Sequence, residues 1–386
     1  MTGFFRAAWL CALVLIQMSG CTGVLTAPEP EVAERDLAVI DSGPSAKKIR
    51  VKILVEGLKE PWGMDFLPDG RMLVTEKAGG LKLVDLRADK LRDVRGVPAV
   101  ANAGQGGLMD VLAHPAFEDN RLIYFSYTVE ENGLYSTQVS RARLKNRSLV
   151  EHEILFTARP FFSERRHFGS RLLLDEGYLY ITVGDRGNRD LAQTLTTHNG
   201  KVLRLTEDGQ TPFDNPFIAS ASALPEIWSY GHRNPQGMAK HPDTGEIWIS
   251  EHGPQGGDEI NRLVAGENYG WPVITYGEEY GGGKIGEGTH KAGMMQPLAY
   301  YTPSIGTAGM DFYSGDIYPD WKPSLVVAGL RLNQIARLEL GPEGVSRRYR
   351  LLAGLGMRIR DVKIGPDGLI YALAEGSRLI RLEPAN

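Results

Sequence analysis

The fold is decided by a phrase that recurs along the chain and first appears as GMDFLPDGRMLVT at residues 63–75. A short apolar strand leads into a turn of Pro, Asp and Gly, and a second strand with apolar and β-branched residues follows. Further copies occupy residues 108–127, 169–183, 237–250, 309–328 and 361–373. Six such hairpins predict six four-stranded sheets, which is the pattern of an all-β, six-bladed β-propeller.

The repeats predict one folded domain over residues 49–386. Each sheet of a propeller buries its faces against neighbouring sheets, so a single blade is not expected to fold alone. No part of this region shows a long amphipathic helical period. A β-sandwich, or a pair of β domains, is the alternative architecture.

The composition is that of an ordinary soluble globular protein, since 42% of the 386 residues are hydrophobic and 23% are charged. Lys and Arg number 43 and Asp and Glu number 47, which gives a net charge of -4 at pH 7. This balance provides no global positive field for a nucleic acid, so we expect no nucleic-acid partner. Any site for an anion must therefore be local.

Residues 1–21 predict a lipoprotein-type signal peptide. An apolar run at residues 9–16 follows Arg6, and small residues precede Cys21. Cleavage before Cys21 would leave that cysteine as a lipidated N-terminus, whereas simple secretion with cleavage elsewhere is the alternative. We therefore expect an exported protein, periplasmic or in the cell envelope, that meets a membrane through its lipid anchor only.

Residues 22–48 predict a flexible tether, because prolines, acids and small residues occur there without a sustained apolar period. The two cysteines of the chain, Cys11 and Cys21, both precede this tether. The mature domain consequently has no cysteines to pair, which excludes disulfides, iron–sulfur clusters and thiolate zinc sites.

Residues that flank the six hairpins should share one face of the propeller. In an antiparallel pair, the residue entering the first strand lies beside the residue leaving the second, because the turn is at the far end. The flanking segments are polar and glycine-rich, and they include residues 105–107, 167–169, 184–187, 232–235, 251–259, 329–331 and 357–360. This end of the propeller is predicted to carry the functional site.

Arginines from several blades converge on that end, namely Arg233, Arg331, Arg358 and Arg360. Planar guanidinium groups bind carboxylates through paired hydrogen bonds, so the set indicates a ligand with several negative charges. The alternative is that each arginine forms an ordinary ion pair with a nearby acid.

His167 is the candidate general base at the same end. An imidazole accepts a proton near neutral pH, and the neighbouring Gly169 leaves space for a ligand. A structural histidine with satisfied hydrogen bonds is the alternative.

Residues 253–261 offer oxygen ligands of the kind that calcium accepts. They combine the carbonyls of a Gly/Pro loop with the carboxylates of Asp258 and Glu259. A glycine-rich turn whose acids pair with the arginines is the alternative.

The loop that follows, residues 269–288, is rich in glycine and aromatic residues. It predicts either a wall or lid that stacks against a sugar or a flat cofactor, or packing between the fourth and fifth blades. Its aromatic residues are Tyr269, Trp271, Tyr276 and Tyr280.

An ordered series of short motifs resembles the family of soluble quinoprotein glucose dehydrogenases and aldose sugar dehydrogenases. The resemblance covers nearly all of residues 50–385 in one order, which is more specific than any single motif. The motifs are PWGM at 61–64, GQGGL at 104–108, HFGSRL at 167–172, GDRG at 184–187, GHRNPQG at 231–237, EHGP at 251–254, DEIN at 258–261, NYGWP at 268–272 and RIRDV at 358–362.

The resemblance implies a six-bladed propeller that carries pyrroloquinoline quinone (PQQ) and calcium and oxidises an aldose at its anomeric carbon. Position by position, it implies that His167 removes the hydroxyl proton and that Asp185 supports His167. Gln105 and Asp185 would line the sugar and quinone site, and Tyr276 would lie beside the substrate. The quinone and its carboxylates would contact Arg233, Asn234, Arg358 and Arg360.

The resemblance also implies two calcium sites. The carbonyls of Gly253 and Pro254 would bind the catalytic calcium, while Glu259 and the carbonyl of Tyr269 would bind a structural one. Where glucose dehydrogenases of the family carry a lysine after the fifth hairpin, this chain has Arg331, which keeps the charge and changes the geometry.

The sequence therefore predicts a PQQ-dependent aldose dehydrogenase that passes electrons to an external acceptor, either a quinone or a cytochrome. Two other functions stay open. One is a calcium-dependent hydrolase of the lactonase type that uses acids at the propeller mouth, and the other is a non-catalytic propeller that binds partners at the envelope.

Overall fold

The computed structural model describes residues 29–43, 48–342 and 344–385. The predicted signal peptide, with Cys21, and the first part of the predicted tether lie outside these residues. In the described residues, no helix is long and apolar enough to cross a membrane.

The strands of the described region fall into six antiparallel sheets. The first two strands are β1 (Glu31–Asp41) and β2 (Lys48–Glu56). The first blade then contains β3 (Pro61–Phe66), β4 (Met72–Glu76), β5 (Gly80–Asp85) and β6 (Lys90–Asp93). The second contains β7 (Leu108–Ala113), β8 (Leu122–Glu131), β9 (Leu134–Lys145) and β10 (Ser148–Thr157). The third contains β11 (Leu172–Asp175), β12 (Tyr178–Val183), β13 (Lys201–Thr206) and β14 (Ile227–Tyr230).

The remaining three blades follow in chain order. The fourth contains β15 (Pro235–Lys240), β16 (Ile247–Glu251), β17 (Asp258–Arg262) and β18 (Ala299–Tyr301). The fifth contains β19 (Thr307–Phe312), β20 (Ser324–Gly329), β21 (Gln334–Gly341) and β22 (Gly344–Leu351). The sixth contains β23 (Ile359–Ile364), β24 (Ile370–Ala374) and β25 (Arg378–Ala385), to which β2 and β1 are added. Helices are short: α1 (Phe117–Asn120) and the 3-10 turns Arg189–Gln193 and Pro319–Trp321.

The innermost strands close into a ring. Contacts run from β3 to β7, β11, β15, β19 and β23, and then from β23 back to β3. The ring is sealed in the sixth blade, where β2 from the N-terminal side pairs with β25 from the C-terminal side. The predicted six-bladed propeller is confirmed, and each of the six predicted hairpins forms the two innermost strands of one blade.

The tether prediction is wrong for Glu31–Asp41, because these residues form β1 at the outer edge of the sixth blade. β1 pairs with β2, and its partly buried Leu37 and Ile40 pack against the adjoining core. Register shifts between Val32 and Arg35 and between Asp36 and Ala38 break the alternation of buried and exposed positions. The strand therefore lacks the period that would identify it in the sequence.

Carboxylates link neighbouring blades near the axis, and we call them the axial carboxylates: the buried Asp110 and Asp361 and the partly buried Asp65 and Asp311. Each accepts a backbone N–H from the next blade, from Ala113 at 2.8 Å, Leu172 at 2.8 Å, Ile364 at 2.9 Å and Met64 at 3.1 Å respectively. Arg171 forms ion pairs with Asp110 at 2.9 Å and with Asp361 at 3.2 Å.

Packing at the axis leaves no room for extra side-chain atoms. A Cβ added to Gly309 would lie 1.8 Å from Oδ1 of Asp361, so glycine is required there by the close approach of two blades. The glycine of the recurring phrase thus has a packing role in the fifth blade.

Candidate active site

A cavity of about 570 Å³ opens at the end of the propeller where the hairpin-flanking segments meet. The prediction that these segments share one face is therefore confirmed. Of the predicted site residues, the cavity is lined by Gln105, His167, Arg233, Asn234, Gly253, Pro254, Arg331, Arg358 and Arg360.

His167 is held firmly at the wall of the cavity, with 9% of its surface exposed. Its backbone N–H donates to Oε1 of Gln105 at 2.8 Å, and its Nδ1 lies 2.7 Å from Oδ1 of Asp185. His167 adopts a left-handed backbone conformation with φ of +54°, which is uncommon for a residue with a side chain and occurs often at functional sites. Its backbone packs so closely that a Cβ on Gly184 would lie 2.2 Å from the His167 carbonyl oxygen.

Asp185 fixes the orientation of the imidazole from behind. Its Oδ1 also accepts the N–H of Gly187 at 2.7 Å, and its Oδ2 accepts the indole N–H of Trp271 at 2.8 Å. Burial raises the pKa of Asp185, but the hydrogen bond with His167 and the nearby charges outweigh it and hold that pKa below its ordinary value. Because the carboxylate is ionised and can only accept, Nδ1 of His167 carries the proton and Nε2 is the free basic nitrogen.

The pKa of His167 is lowered from its ordinary value. Burial is the main cause, and the positive charge of Arg233 adds to it, while Asp185 opposes both. The imidazole is therefore neutral at pH 7 and ready to accept a proton. The alternative, a purely structural histidine, is disfavoured because this side chain lines the cavity.

The arginines of the cavity have fewer carboxylate partners than their charges require. Arg358 and Arg360 share the single carboxylate of Glu375, each at 2.5 Å. Arg233 donates to the carbonyl oxygen of His252 at 3.1 Å, and its Nε is buried with no hydrogen-bond partner among the described residues. Five lining side chains are cationic and three are carboxylates, so the cavity favours an anionic ligand.

Sequence reasoning missed Lys77 and Glu375, which line the cavity and are each the first residue after the second strand of an inner hairpin. That position is the signal by which they could have been found. His252 and Leu330 also line the cavity at the equivalent positions, within the flanking segments predicted to lie at this end. His252 is also neutral, since burial and the surrounding cations lower its pKa well below the ordinary value.

The predicted metal ligands fall into two places. Gly253 and Pro254 line the main cavity, and the N–H of Gly253 donates to Asp258 at 3.0 Å. Glu259 and Tyr269 instead line a separate space of about 10 Å³ behind it. In the part of the chain that the structure describes, no cluster of three or more His, Cys, Asp or Glu side chains is arranged to hold a metal.

Two carboxylates face each other at the small space, that of the buried Glu251 and that of the partly buried Glu259. Glu251 and Glu259 are directly opposite in the β16–β17 pair, and the amide of Asn261 donates to both, at 3.2 Å and 3.0 Å. Burial, together with the charge of Glu251, raises the pKa of Glu259 to about 8. This donor set would be stabilised by a cation.

Two predicted residues do not reach the cavity. Asp185 supports His167 without lining the cavity itself. Tyr276 is turned away, because its ring stacks on Tyr300 with centroids 3.8 Å apart and its hydroxyl donates to Gln296 at 2.9 Å. The aromatic residue of this loop that lines the cavity is Tyr280.

The fold and the site define a class of propeller with an arginine-lined axial cavity and a buried His–Asp pair. The chain belongs to the glucose/sorbosone dehydrogenase family, whose model matches residues 58–381. Aldose sugar dehydrogenase YliI of Escherichia coli is 41% identical over 347 residues, which cover 88% of this chain and 94% of that protein.

Solved structures agree with this assignment. The soluble aldose sugar dehydrogenase of Escherichia coli, in its apo-form, superposes with a TM-score of 0.85 at 40% identity, covering 87% of this chain and 100% of that chain. The PQQ-bound form of an aldose sugar dehydrogenase from Streptomyces coelicolor superposes with a TM-score of 0.72 at 27% identity, covering 88% and 99%.

Proposed function

We propose that this protein is a PQQ-dependent oxidoreductase that oxidises an aldose at its anomeric carbon. The observation that carries the proposal is the buried His167–Asp185 pair at the wall of an arginine-lined cavity. The relatives support it, since the Escherichia coli proteins are aldose sugar dehydrogenases and the Streptomyces coelicolor structure holds PQQ.

The donor set of the cavity fits PQQ, which carries three carboxylates. Arg233, Arg331, Arg358 and Arg360 would hold these groups, with Asn234 beside them, and the buried unpartnered Nε of Arg233 is a donor in need of an acceptor. Glu375 pairs with both Arg358 and Arg360, and Arg360 also donates to Oε1 of Gln236 at 3.0 Å. Arg331 supplies a cation where related glucose dehydrogenases use a lysine.

Calcium fits the oxygen-rich loop beside the same cavity. The carbonyls of Gly253 and Pro254 would hold one ion, while Glu251, Glu259 and the carbonyl of Tyr269 would hold a second, structural one. When bound, the quinone accepts a hydride and calcium, as a Lewis acid, stabilises the charge that develops on it.

The protein's own part in the reaction is proton removal and alignment. Nε2 of His167 accepts the proton from the anomeric hydroxyl, and Asp185 stabilises the imidazolium that forms while fixing the ring. Gln105 holds the backbone of His167, so the base stays at the cavity wall. After the reaction the proton leaves His167 for solvent through the open mouth.

The proposal is tested by titrating the purified protein with PQQ in calcium and then adding a panel of aldoses. We expect absorbance changes on PQQ binding and bleaching of the oxidised cofactor by at least one aldose. If the protein instead releases acid from lactones without PQQ, it is a hydrolase, and the dehydrogenase proposal is wrong.

We further propose that the protein is exported, anchored through Cys21, and passes its electrons to an external quinone or cytochrome. The leader-like residues 1–21 support this. Labelling of the wild-type protein, but not of Cys21→Ser, with a fatty-acid probe is the expected result. Label retained by Cys21→Ser would contradict it.

A further inference from the structure

A glycine-rich flap, residues 276–287, contributes Tyr280 to the lining of the cavity. It is anchored to the loop that carries Pro254, because Gln255 and Glu278 exchange two backbone hydrogen bonds of 3.1 Å and 3.0 Å. The tip is a tight turn in which the N–H of Gly282 donates to the carbonyl of Glu279 at 2.9 Å. Its glycines, Gly281 to Gly283, have φ between +95° and +116°, so the turn requires glycine.

An ion pair joins the flap to the segment that follows Asp185. Both guanidinium nitrogens of Arg189 contact the carboxylate of Glu279, at 2.6 Å and 3.1 Å. Arg189 follows the segment that carries Asp185, the partner of His167. The flap position is therefore tied both to the wall that holds the base and to the loop that offers carbonyls.

Tyr280 projects from this flap beside the cavity. It lines the cavity with 71% of its surface exposed, whereas Tyr269 and Trp271 of the same loop are buried. Its hydroxyl lies 3.5 Å from the guanidinium of Arg233, which faces the same space. An exposed aromatic ring held at the mouth of a polar cavity is a surface on which a sugar face can stack.

We propose that Tyr280 is a specificity-determining residue that stacks on the part of the substrate farthest from the reacting carbon. The inference rests on the proposed function, which places the anomeric carbon at the deeply set His167. A sugar held there by its reducing end directs its opposite side toward the mouth. Aldoses extended by a second sugar ring should therefore gain a contact that monosaccharides lack.

The test compares a monosaccharide, glucose, with a disaccharide, maltose, on the protein loaded with PQQ and calcium. In Tyr280→Ala, the ratio of kcat/KM for maltose to that for glucose should fall about two- to tenfold, because the stacking ring is lost. Tyr280→Phe should keep the wild-type ratio, since the ring remains. Phe213→Ala removes an aromatic residue that is 88% exposed and does not line the cavity, so it is the matched control.

A second variant tests the flap itself, and a binding measurement tests Tyr280 without relying on turnover. Glu279→Gln releases the flap from Arg189 and should lower the same ratio in the same direction. Calorimetric titration of the protein with maltose should show weaker binding in Tyr280→Ala than in Phe213→Ala. Equal losses for both sugars, or a maltose affinity unchanged in Tyr280→Ala, would overturn the inference. If neither sugar is oxidised but the affinity difference persists, the dehydrogenase proposal fails and the role of Tyr280 stands.

Discussion

Two regions of the propeller concentrate charge, the axial carboxylates and the cavity at the mouth. At the axis, every carboxylate accepts a backbone N–H from the next blade. At the mouth, Arg358 and Arg360 share one carboxylate, and Nε of Arg233 has none. The inner strands and the segments that flank them supply both regions. What separates them is that each axial carboxylate accepts a hydrogen bond from the next blade, whereas the cations that line the mouth outnumber its carboxylates.

The contrast also appears in the roles of individual groups. Arg171 is buried between Asp110 and Asp361, so its charge links three blades. His167 lies on the cavity wall, and of its two ring nitrogens only Nδ1 has a hydrogen-bond partner among the described residues. We therefore expect changes at the axis to reduce stability and changes at the mouth to reduce activity.

The largest effect is expected for His167→Gln. This change removes the base while keeping a polar side chain, so kcat/KM for the aldose should fall about 10²- to 10⁴-fold. The unfolding midpoint in urea should stay close to that of the wild type, because the lost side-chain contact is with Asp185 of the same blade and the backbone N–H bond to Gln105 is kept. A large loss of stability with little loss of turnover would contradict the assignment of activity to the mouth and of stability to the axis.

The next largest effect is expected for Arg171→Leu. It leaves the carboxylates of Asp110 and Asp361 buried without their partner, which should cost about 3–5 kcal/mol in the free energy of unfolding. Denaturation monitored by circular dichroism measures the loss. Arg71→Leu, which breaks an exposed pair with Asp69, is the control and should cost less than about 1 kcal/mol. Equal losses in the two variants would contradict the structural role of the axis.

A smaller effect is expected at a single link between blades. Asp65→Ala leaves the partly buried N–H of Ala113 without its charged acceptor and should cost about 1–3 kcal/mol. Asp65→Asn keeps an acceptor oxygen, so it should cost less than Asp65→Ala in the same denaturation measurement. An Asn variant that is as unstable as the Ala variant would show that charge, rather than the hydrogen bond, holds the blades there.

Most of the fold could be predicted from the sequence because its signal is local. Each hairpin carries its turn and both strands within one short phrase, so six copies identify six blades. β1 was not predicted as a strand because its register shifts remove the alternation of buried and exposed residues on which strand prediction depends. Its pairing partner, β2, is moreover identified as part of the closing blade only once β25 is known to lie beside it.

For the site, the sequence predicts only the residues whose positions are fixed by the hairpins. Hairpin geometry brings His167, Arg233 and Arg358 to one end without knowledge of the family. The path of a long loop is not fixed by strand pairing, which is why Tyr280 rather than Tyr276 lies at the cavity. The contact of Trp271 with Asp185 joins residues 86 positions apart, and nothing local in the sequence indicates it.

The contact between Trp271 and Asp185 distinguishes the two regions most closely, because Trp271 is buried like Arg171 and yet contacts the partner of the base. Trp271→Phe keeps the ring and removes the N–H that donates to Asp185, so kcat/KM should fall about tenfold while stability changes little. With less of its charge compensated, Asp185 should hold the proton of His167 more strongly and raise the pKa of that imidazole. In the wild type, activity should be lost as the pH falls through a His167 pKa below the ordinary 6.5, since the base must be neutral. In the variant, the acidic limb of the profile should therefore move to higher pH. A rate loss with an unchanged limb would mean that Trp271 only packs, and that its burial belongs with the structural charges of the axis.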